Sequence, residues 1–369
     1  MSRGTDESRF DELASKLATM RSVLESDGLD ALRLRGHDWF TWATGGTSNS
    51  LMWTSELGVA ELLVTATGVF VLADAIDAGR LEQEEVPDWI EVIELPWTEP
   101  NRRDEFIAGQ IGDGRVASDA PVNGERLLPG SLSVARQRLG PAEIERYRLL
   151  GREAAAAMTE TLGSARPEAA EREIAAVGAD ALLRRGIHPA LVLVGGSRRH
   201  PLFRHPTPTA EPLGDRAMVV FCGRRHGLYA NLTRFVCFRR PTPEERRRMS
   251  VVAQVEAVAW DASRPGATLG DVYAAIVDSY RGLGFPGAEL EHHQGGVTGY
   301  RSREVLATPG SPWSIQLGSA VAWNPSLAGA KIEDTAVVAR DGLETLTFDP
   351  AWPTVAVEER ERPDVLVLD

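Results

Sequence analysis

The sequence contains only two cysteines, Cys222 and Cys237, among its 369 residues, so no disulfide framework can be inferred from it. It lacks any apolar run that approaches the roughly 20 residues needed to span a bilayer. The stretch from Met1 to Glu12 is mostly polar and charged, without the apolar segment of a signal peptide. These absences predict a cytoplasmic protein with no membrane partner.

An excess of positive charge is also absent. The formal net charge is -13 at pH 7, which argues against an exposed basic surface and therefore against a nucleic-acid partner. Hydrophobic residues make up 43% of the chain and charged residues 25%, the composition of an ordinary globular protein. Because 369 residues exceed one typical hydrophobic core, the length predicts two domains.

The first part of the chain mixes helical and strand patterns. Residues 10–27 carry apolar side chains at helical spacing, and Gly28 follows them as a helix stop signal. Two apolar runs, 59–64 and 69–72, flank a short segment and predict a pair of strands joined by a turn. We therefore expect a small α/β domain over residues 1–130.

The second part of the chain follows a predicted linker over residues 128–140. Pro141 and the acidic Glu143 favour the start of a long helix that runs to about Leu162. Helical and strand patterns continue beyond it, and they predict a second domain over residues 141–350.

An internal repeat lies within this second domain. Arg166-Pro167 and Arg264-Pro265 stand 98 positions apart, and each pair is predicted to begin a helix. Strands are predicted after both helices, at residues 217–221 and 320–323. Because the unit occurs only twice and is too long for a solenoid repeat, it predicts one domain with pseudo-twofold symmetry.

Four segments of the second domain carry side chains suited to catalysis or binding. Loops held by a scaffold often carry such residues, and histidine exchanges protons near neutral pH. An ordinary loop, hairpin or solvated strand contains the same residue types, so the segments alone leave their role open. The candidates are His205; Tyr229, Asn231 and Thr233; His293, Tyr300 and Arg303; and Asn324, Lys331 and Glu333.

The order and spacing of these segments resemble the superfamily of creatinase, ectoine hydrolase, aminopeptidase P and methionine aminopeptidase. The likeness covers nearly the whole chain. Its most specific parts are Gly-x-Tyr-x-x-x-Thr-Arg at 227–234 and Ile-Glu-Asp-Thr at 332–335. It implies an α/β fold class, with an N-terminal creatinase-like α/β domain and a C-terminal pitta-bread α+β domain that has an internal pseudo-twofold repeat. It also implies a homodimer.

The resemblance also indicates which metal ligands are missing. Metallopeptidases of this superfamily hold two divalent metals with two Asp, one His and two Glu. One carboxylate cannot offset the charge of two divalent ions, and asparagine is a weak, neutral ligand, so we expect no metal and no cofactor. In chain order the five positions hold Phe221 (or Val220 if no gap is allowed), Asn231, His293, Asn324 and Glu333.

The metal-independent members of the superfamily imply roles for the residues that remain. In creatinase a loop histidine, matched by His205, transfers protons, and an arginine at or close to Arg303 anchors the substrate carboxylate. A glutamate matched by Glu333 faces the substrate's cationic group. Creatinase has a further glutamate where Thr233 stands, and this difference argues against creatine as the substrate.

These matches predict a metal-independent hydrolase of a C–N bond in a small zwitterionic or amide-containing molecule. His205 is the expected general acid/base, with His293 and Glu333 as the other catalytic residues. Two other interpretations stay open: an aminopeptidase P-like metallopeptidase with a reduced metal site, and a non-catalytic binding protein. The expected substrate-binding residues are Tyr229, Asn231, Thr233, Tyr300, Arg303, Asn324 and Lys331.

Three further residues near these segments have simpler expected roles. Cys222 lies on the predicted site strand and is expected to be a small buried packing residue. His226 and His292 are expected to be structural or exposed.

Overall fold

The computed structural model describes residues 3–368, and it divides into two compact units, Met1–Glu143 and Ile144–Asp369. Unit 2 continues beyond residue 350, the predicted limit of the second domain, because a late strand at Leu366–Val367 joins one of its sheets. The two units are described separately below.

Unit 1 is built on one mixed sheet. Its helices are α1 (Arg3–Asp27), α2 (His37–Ala43), α3 (Ala78–Arg80), α4 (Arg102–Ile111) and α5 (Gly130–Arg136). Its strands are β1 (Ala31–Gly36), β2 (Leu57–Thr65), β3 (Val69–Asp74), β4 (Glu91–Leu95), β5 (Val116–Ser118) and β6 (Arg126–Leu127). The strand order in the sheet is β4-β3-β2-β1-β5-β6, and a π-helical turn at Leu81–Glu85 follows α3.

The sequence patterns of unit 1 correspond to real elements, with one exception. The two apolar runs form the antiparallel pair β2 and β3, whose register joins Val64 to Val69 across the turn. The segment predicted as a linker, residues 128–140, contains the short helix α5. Leu132 of this helix is fully buried, so the segment packs as part of unit 1.

Among the residues described, unit 2 contains four helices of more than ten residues and two larger sheets, one antiparallel with five strands and one with four strands whose last strand pairs in parallel. The helices are α6 (Pro141–Gly163), α7 (Glu171–Leu183), α8 (Pro243–Ala262) and α9 (Leu269–Gly282), with a 3-10 turn at Ala288–Leu290. The first strands are β7 (His188–Gly196), β8 (Arg216–Arg225), β9 (Leu228–Cys237), β10 (Gly295–Thr298), β11 (Val305–Leu306) and β12 (Ala320–Trp323). The others are β13 (Ser326–Leu327), β14 (Ala330–Lys331), β15 (Asp334–Ala339), β16 (Gly342–Thr345), β17 (Thr354–Val357), β18 (Arg360–Pro363) and β19 (Leu366–Val367).

The predicted pseudo-twofold repeat is present in unit 2. Each half has a long helix, a shorter helix and three antiparallel strands: α6, α7, β7, β8 and β9 in the first, and α8, α9, β10, β12 and β15 in the second. The residues that precede the shorter helices, Ala170 and Thr268, form equivalent isolated bridges, to Pro212 and Ser314. Their separation of 98 positions equals the offset seen in the sequence.

The shorter helices begin later than the sequence patterns predicted. They start at Glu171 and Leu269 rather than at the Arg-Pro pairs. A carboxylate three residues beyond each preceding residue accepts its backbone N–H: Ala170 donates to Glu173 and Thr268 donates to Asp271. These bonds satisfy helix-terminal groups and fix where the helices start.

The two larger sheets meet where β9 lies beside β15. The Thr335 hydroxyl accepts the Asn231 N–H at 2.8 Å and donates to the Asn231 carbonyl at 3.0 Å. The Thr233 N–H donates to the Glu333 carbonyl at 3.0 Å. These bonds hold one sheet of each half of the repeat against the other, and they place the candidate residues of β9 and of the segment before β15 side by side.

Among residues 3–368, none of the helices combines the length and the apolar character that a membrane span requires.

Candidate active site

The β8–β9 hairpin decides which of two residues occupies the first matched ligand position. Cys222 pairs with Asn231, and Val220 pairs with Thr233, so these four side chains share one face of the sheet. Phe221 therefore points to the other face, where its ring packs against Gly178 of α7. The position on the site face is Val220, and it belongs to an apolar cluster there.

Glu333 is the buried charged centre of the site. Its Oε1 lies 2.5 Å from Arg303 Nη2, and its Oε2 lies 3.2 Å from Lys331 Nζ. The Thr233 hydroxyl donates to Oε2 at 3.0 Å. Only 2% of the Glu333 side chain is exposed, so the two cations provide the compensation that a buried carboxylate requires.

The charge of Glu333 is stable over the physiological pH range. Burial alone would raise the pKa of this carboxyl group. The charges of Lys331 and Arg303, with hydrogen bonds from Arg303 and Thr233, outweigh that effect and hold the pKa at about 2. Glu333 is therefore an ionised group that orients two cations.

Three imidazoles form a second cluster. His205, in the loop between β7 and β8, has its Nε2 atom 2.9 Å from Nε2 of His292. His292 stacks on His293 with a ring-centroid distance of 4.3 Å. One nitrogen from each of the three rings lies within 4.8 Å of the others. Because His205 is exposed and His293 is half-buried, solvent reaches this side of the site.

Their environment keeps the three imidazoles neutral. Partial burial of its ring, followed by the charge of Lys331, lowers the pKa of His205 below its usual value. Burial lowers the pKa of His292 to about 2, with help from Lys331 and the other two rings. Burial and Arg303 lower the pKa of His293 to about 4. Neutral imidazole is the form that accepts a proton, so the cluster is suited to base catalysis near pH 7.

Two asparagines lie fully or almost fully buried where the superfamily's metallopeptidases have carboxylates. Asn231 Nδ2 donates to the Thr298 hydroxyl at 3.1 Å, and its Oδ1 has no partner among the described residues. Asn324 also has a buried Oδ1 without a partner in residues 3–368. These two oxygens are hydrogen-bond acceptors that a bound molecule can use.

The two predicted tyrosines, Tyr229 and Tyr300, are connected through their backbones to the segment that carries Arg303. The Tyr229 N–H donates to the Gly299 carbonyl at 2.9 Å, and the Tyr147 hydroxyl donates to the Tyr229 carbonyl. The Tyr300 N–H donates to Glu304 at 3.0 Å, and only 1% of Tyr300 is exposed. The backbones of both tyrosines therefore support the segment that carries Arg303.

The glycines next to the histidine pair serve strand packing. Gly295 and Gly296 both have positive φ, and a Cβ atom on either would meet a backbone carbonyl oxygen, that of Ala322 or Val305. The sequence interpretation linked these glycines to the close approach of a ligand. The structure shows instead the close approach of β11 and β12 to β10.

Cys222 is buried and is not a partner of the imidazoles. Burial and the Glu333 charge raise the pKa of its thiol to about 12. A thiol at this pKa is not a nucleophile at neutral pH, which agrees with the expected packing role.

His292 is the site residue that sequence reasoning missed. It was expected to be structural or exposed, but it is buried between His205 and His293. Consecutive residues on a strand point to opposite faces, but His292 and His293 precede β10 in irregular backbone. The sequence signal for His292 was its place beside a glycine-rich segment. Irregular backbone there allows the side chains of two consecutive residues to face the same side of the chain.

With this geometry established, comparison with known proteins assigns the family. The model of metallopeptidase family M24 matches residues 145–340, more than half of the sequence. The chain belongs to metallopeptidase family M24. The membership and the two-domain fold confirm the predicted creatinase/aminopeptidase P pitta-bread superfamily.

Individual relatives are distant. An Xaa-Pro dipeptidase of Lactobacillus helveticus is 25% identical over 256 residues, which cover 66% of each chain. An agropine synthesis cyclase of Rhizobium rhizogenes is 27% identical over 176 residues, or 43% of each chain. The prolidase structure from Pyrococcus horikoshii has a TM-score of 0.77 at 16% identity, with coverage of 90% of this chain and 98% of that one. The chain therefore spans less than two thirds of the length of the Lactobacillus dipeptidase and of the Rhizobium cyclase.

The side chains of this M24 protein do not fit a dinuclear metal centre. Of the five matched positions, one is the apolar Val220 and two are the neutral amides of Asn231 and Asn324. The remaining carboxylate, Glu333, is bound by two cations of the protein itself. The only group of three or more metal-binding side chains found in residues 3–368 is the imidazole cluster, which does not include Glu333.

Proposed function

We propose that this protein is an enzyme that hydrolyses a C–N bond in a small amide-containing molecule without a dinuclear metal centre. The observation that carries the proposal is the pairing of Glu333 with Arg303 and Lys331 beside three neutral imidazoles. Fixed cations and proton-transfer groups then stand where the M24 metallopeptidases bind metal. Membership of M24 supports hydrolysis as the reaction class.

His205 is the proposed general acid/base. It is exposed at the open side of the site, and His292 holds its ring through the Nε2–Nε2 contact. In the tautomer where His205 Nε2–H donates to His292, the Nδ1 atom of His205 is free to accept a proton. This atom takes a proton from water as the water oxygen attacks the amide carbonyl, and returns it to the departing nitrogen as the C–N bond breaks.

The other groups bind the substrate and stabilise the negative charge that develops during the reaction. His293 is neutral and can donate an N–H to the oxygen that becomes negative when water adds to the carbonyl. Arg303 and Lys331 bind the substrate's acidic group, and Glu333 and Thr233 fix their positions. Positioning of this kind supplies several kcal/mol of barrier reduction when the groups are held rigidly.

A chelator-treated preparation of the full chain tests the proposal on a panel of short amides, amidines and cyclic ureas in ¹⁸O-labelled water. The expected result is turnover that places one ¹⁸O in the product and is lost in His205→Ala. Turnover without ¹⁸O incorporation would identify a transfer within the substrate, the class of reaction that the name of the cyclase relative indicates. Turnover only after metal addition would reject the metal-independent mechanism.

A single-metal peptidase is the second candidate, because the three imidazoles form a possible ligand set. Three neutral histidines suit Zn²⁺ or Ni²⁺, although Lys331 and Arg303 repel a cation. Metal analysis of protein purified without chelator separates the two functions. About one tightly held ion per chain, lost in His292→Ala, would support the peptidase.

A non-catalytic binding protein is the third candidate from the sequence. It requires that His205→Ala leaves ligand affinity unchanged and that no substrate of the panel turns over. The predicted homodimer and cytoplasmic location stay predictions, and sedimentation velocity and cell fractionation test them directly.

A further inference from the structure

Two cations and one carboxylate are in direct contact at the centre of the site. Arg303 and Lys331 both contact the carboxylate of Glu333, so this group of three side chains carries a net charge of +1. The nearby imidazoles are neutral and do not change this balance. Asp334, the next residue along the chain, does not offset the charge either, because its carboxylate is bound by two other buried arginines.

Glu333 is already paired with two cations of the protein. Arg303 donates to Oε1, the Thr233 hydroxyl donates to Oε2, and Lys331 Nζ lies 3.2 Å from Oε2. A substrate ammonium group at Glu333 would therefore be repelled by two positive charges. The role that creatinase implies for this glutamate is therefore unfavourable here.

The unused hydrogen-bonding groups around Glu333 have a definite pattern. On the cationic side, Arg303 Nε is buried and has no acceptor among residues 3–368. Within the same described residues, Lys331 Nζ forms an ion pair with Glu333, and the ammonium retains donors for a ligand. On the neutral side, the Oδ1 atoms of Asn231 and Asn324 lack donors. A complementary molecule thus carries an anionic acceptor and an N–H donor.

We propose that the site recognises a small carboxylate that also contains an amide, with a net negative charge, and that it discriminates against zwitterions. The carboxylate binds to Lys331 and Arg303 through charge-assisted hydrogen bonds, and the amide N–H donates to Asn231 or Asn324. This inference rests on the proposed function for the bond that is broken. Recognition itself can be measured without turnover.

The composition of the protein makes Lys331 easy to observe. The sequence has only two lysines, Lys16 and Lys331, because nearly all of its basic residues are arginines. Protein grown with lysine labelled with ¹³C at Cε gives two side-chain NMR signals, and the variant Lys16→Arg assigns the one from Lys331. That signal reports the binding of an anion at the ammonium group directly.

Four probes share one glycyl amide framework and differ in charge: N-acetylglycine is an anion, glycylglycine a zwitterion, N-acetylglycinamide neutral and glycinamide a cation. N-acetylglycine is expected to shift the Lys331 signal in a saturable manner and to bind most tightly of the four. Glycylglycine binding as tightly as N-acetylglycine would overturn the inference. So would the absence of any saturable shift at concentrations up to tens of millimolar.

Two variants test the residue itself by calorimetry. Lys331→Met is expected to weaken N-acetylglycine binding by roughly 10- to 100-fold, the range for one charge-assisted hydrogen bond. Lys331→Arg keeps the charge and is expected to preserve the order of the four probes. Equal affinity in wild type and Lys331→Met would overturn the inference.

These results are separable from the proposed function. Selective binding of N-acetylglycine by a protein that hydrolyses no amide would support the recognition of anions and contradict the proposed hydrolase function. Amide turnover with a preference for zwitterions would support the hydrolase function and contradict the recognition of anions.

Discussion

Arg303 Nη2 lies 2.5 Å from Glu333 Oε1, and this ion pair joins the glycine-rich segment to the residue that precedes β15. Glu333 is almost completely removed from water, Arg303 is largely buried, and Lys331 approaches the same carboxylate from its other oxygen. The charged residues of the site therefore also hold the fold together, and substituting them should change both the stability of the protein and the binding of ligands.

Glu333→Gln is expected to destabilise the protein by about 3 kcal/mol or more, because the buried Lys331 and the largely buried Arg303 lose their shared counter-charge. Chemical denaturation of the full chain measures the change. Glu244→Gln is the matched control, since Glu244 pairs with Arg247 and Arg248 on an exposed helix surface, where ion pairs contribute below about 1 kcal/mol. Equal losses in the two variants would contradict the structural role of Glu333.

The pH dependence of turnover is expected to report His205. As a general base it must be neutral, so kcat/KM should fall on acidification through a pKa below the usual 6.5. Lys331 lowers this pKa through its positive charge. In Lys331→Met the acid limb should therefore move to higher pH, whatever happens to the maximal rate. A limb that stays in place would show that His205 does not control it.

Gly178→Ala is expected to destabilise unit 2 by about 1–3 kcal/mol, because the added Cβ atom would lie 2.7 Å from the Phe221 ring. Gly163→Ala is the matched control, since a Cβ atom at that helical glycine meets nothing within 4 Å. The control should be neutral or slightly stabilising. Adding Phe221→Leu to Gly178→Ala should recover part of the loss, and failure to do so would question the orientation of Phe221.

Arg362 supports the site strand from the opposite side. Its Nη2 atom lies 2.6 Å from Glu256 and 2.8 Å from Asp334, and all three side chains are buried. Arg362→Gln is expected to cost about 3–5 kcal/mol in unfolding free energy. Arg360→Gln, on the same strand but partly exposed, should cost below about 1 kcal/mol. Similar unfolding midpoints for the two variants would contradict this network.

Much of the fold could be predicted from residue patterns. The 98-residue offset, the hairpin of β8 and β9 and the boundaries of β12 all follow from local periodicity and glycine placement. Pro141 marks the start of α6, because proline is favourable in the first turn of a helix. The starts of α7 and α9 were less predictable, because they depend on which carboxylate caps the backbone.

The candidate site was predictable as a set of residues but not as a pattern of contacts. Arg303 and Lys331 were expected to bind substrate, and Glu333 to face it. Whether those three charges satisfy one another depends on how the segment after β10 folds back toward β15. That is a tertiary relationship between residues thirty positions apart, and no local pattern encodes it. The place of His292 depends on irregular backbone in the same way.

The Thr335 hydroxyl that joins β9 to β15 has a broader consequence. It and the backbone bond between Thr233 and Glu333 connect the two halves of the repeat with groups that take no part in metal binding. These particular contacts between the two halves require no ion. Carboxylates at this junction can therefore be replaced by amides or an apolar side chain while the fold is kept. The chemistry of the site can then differ between proteins that share the fold.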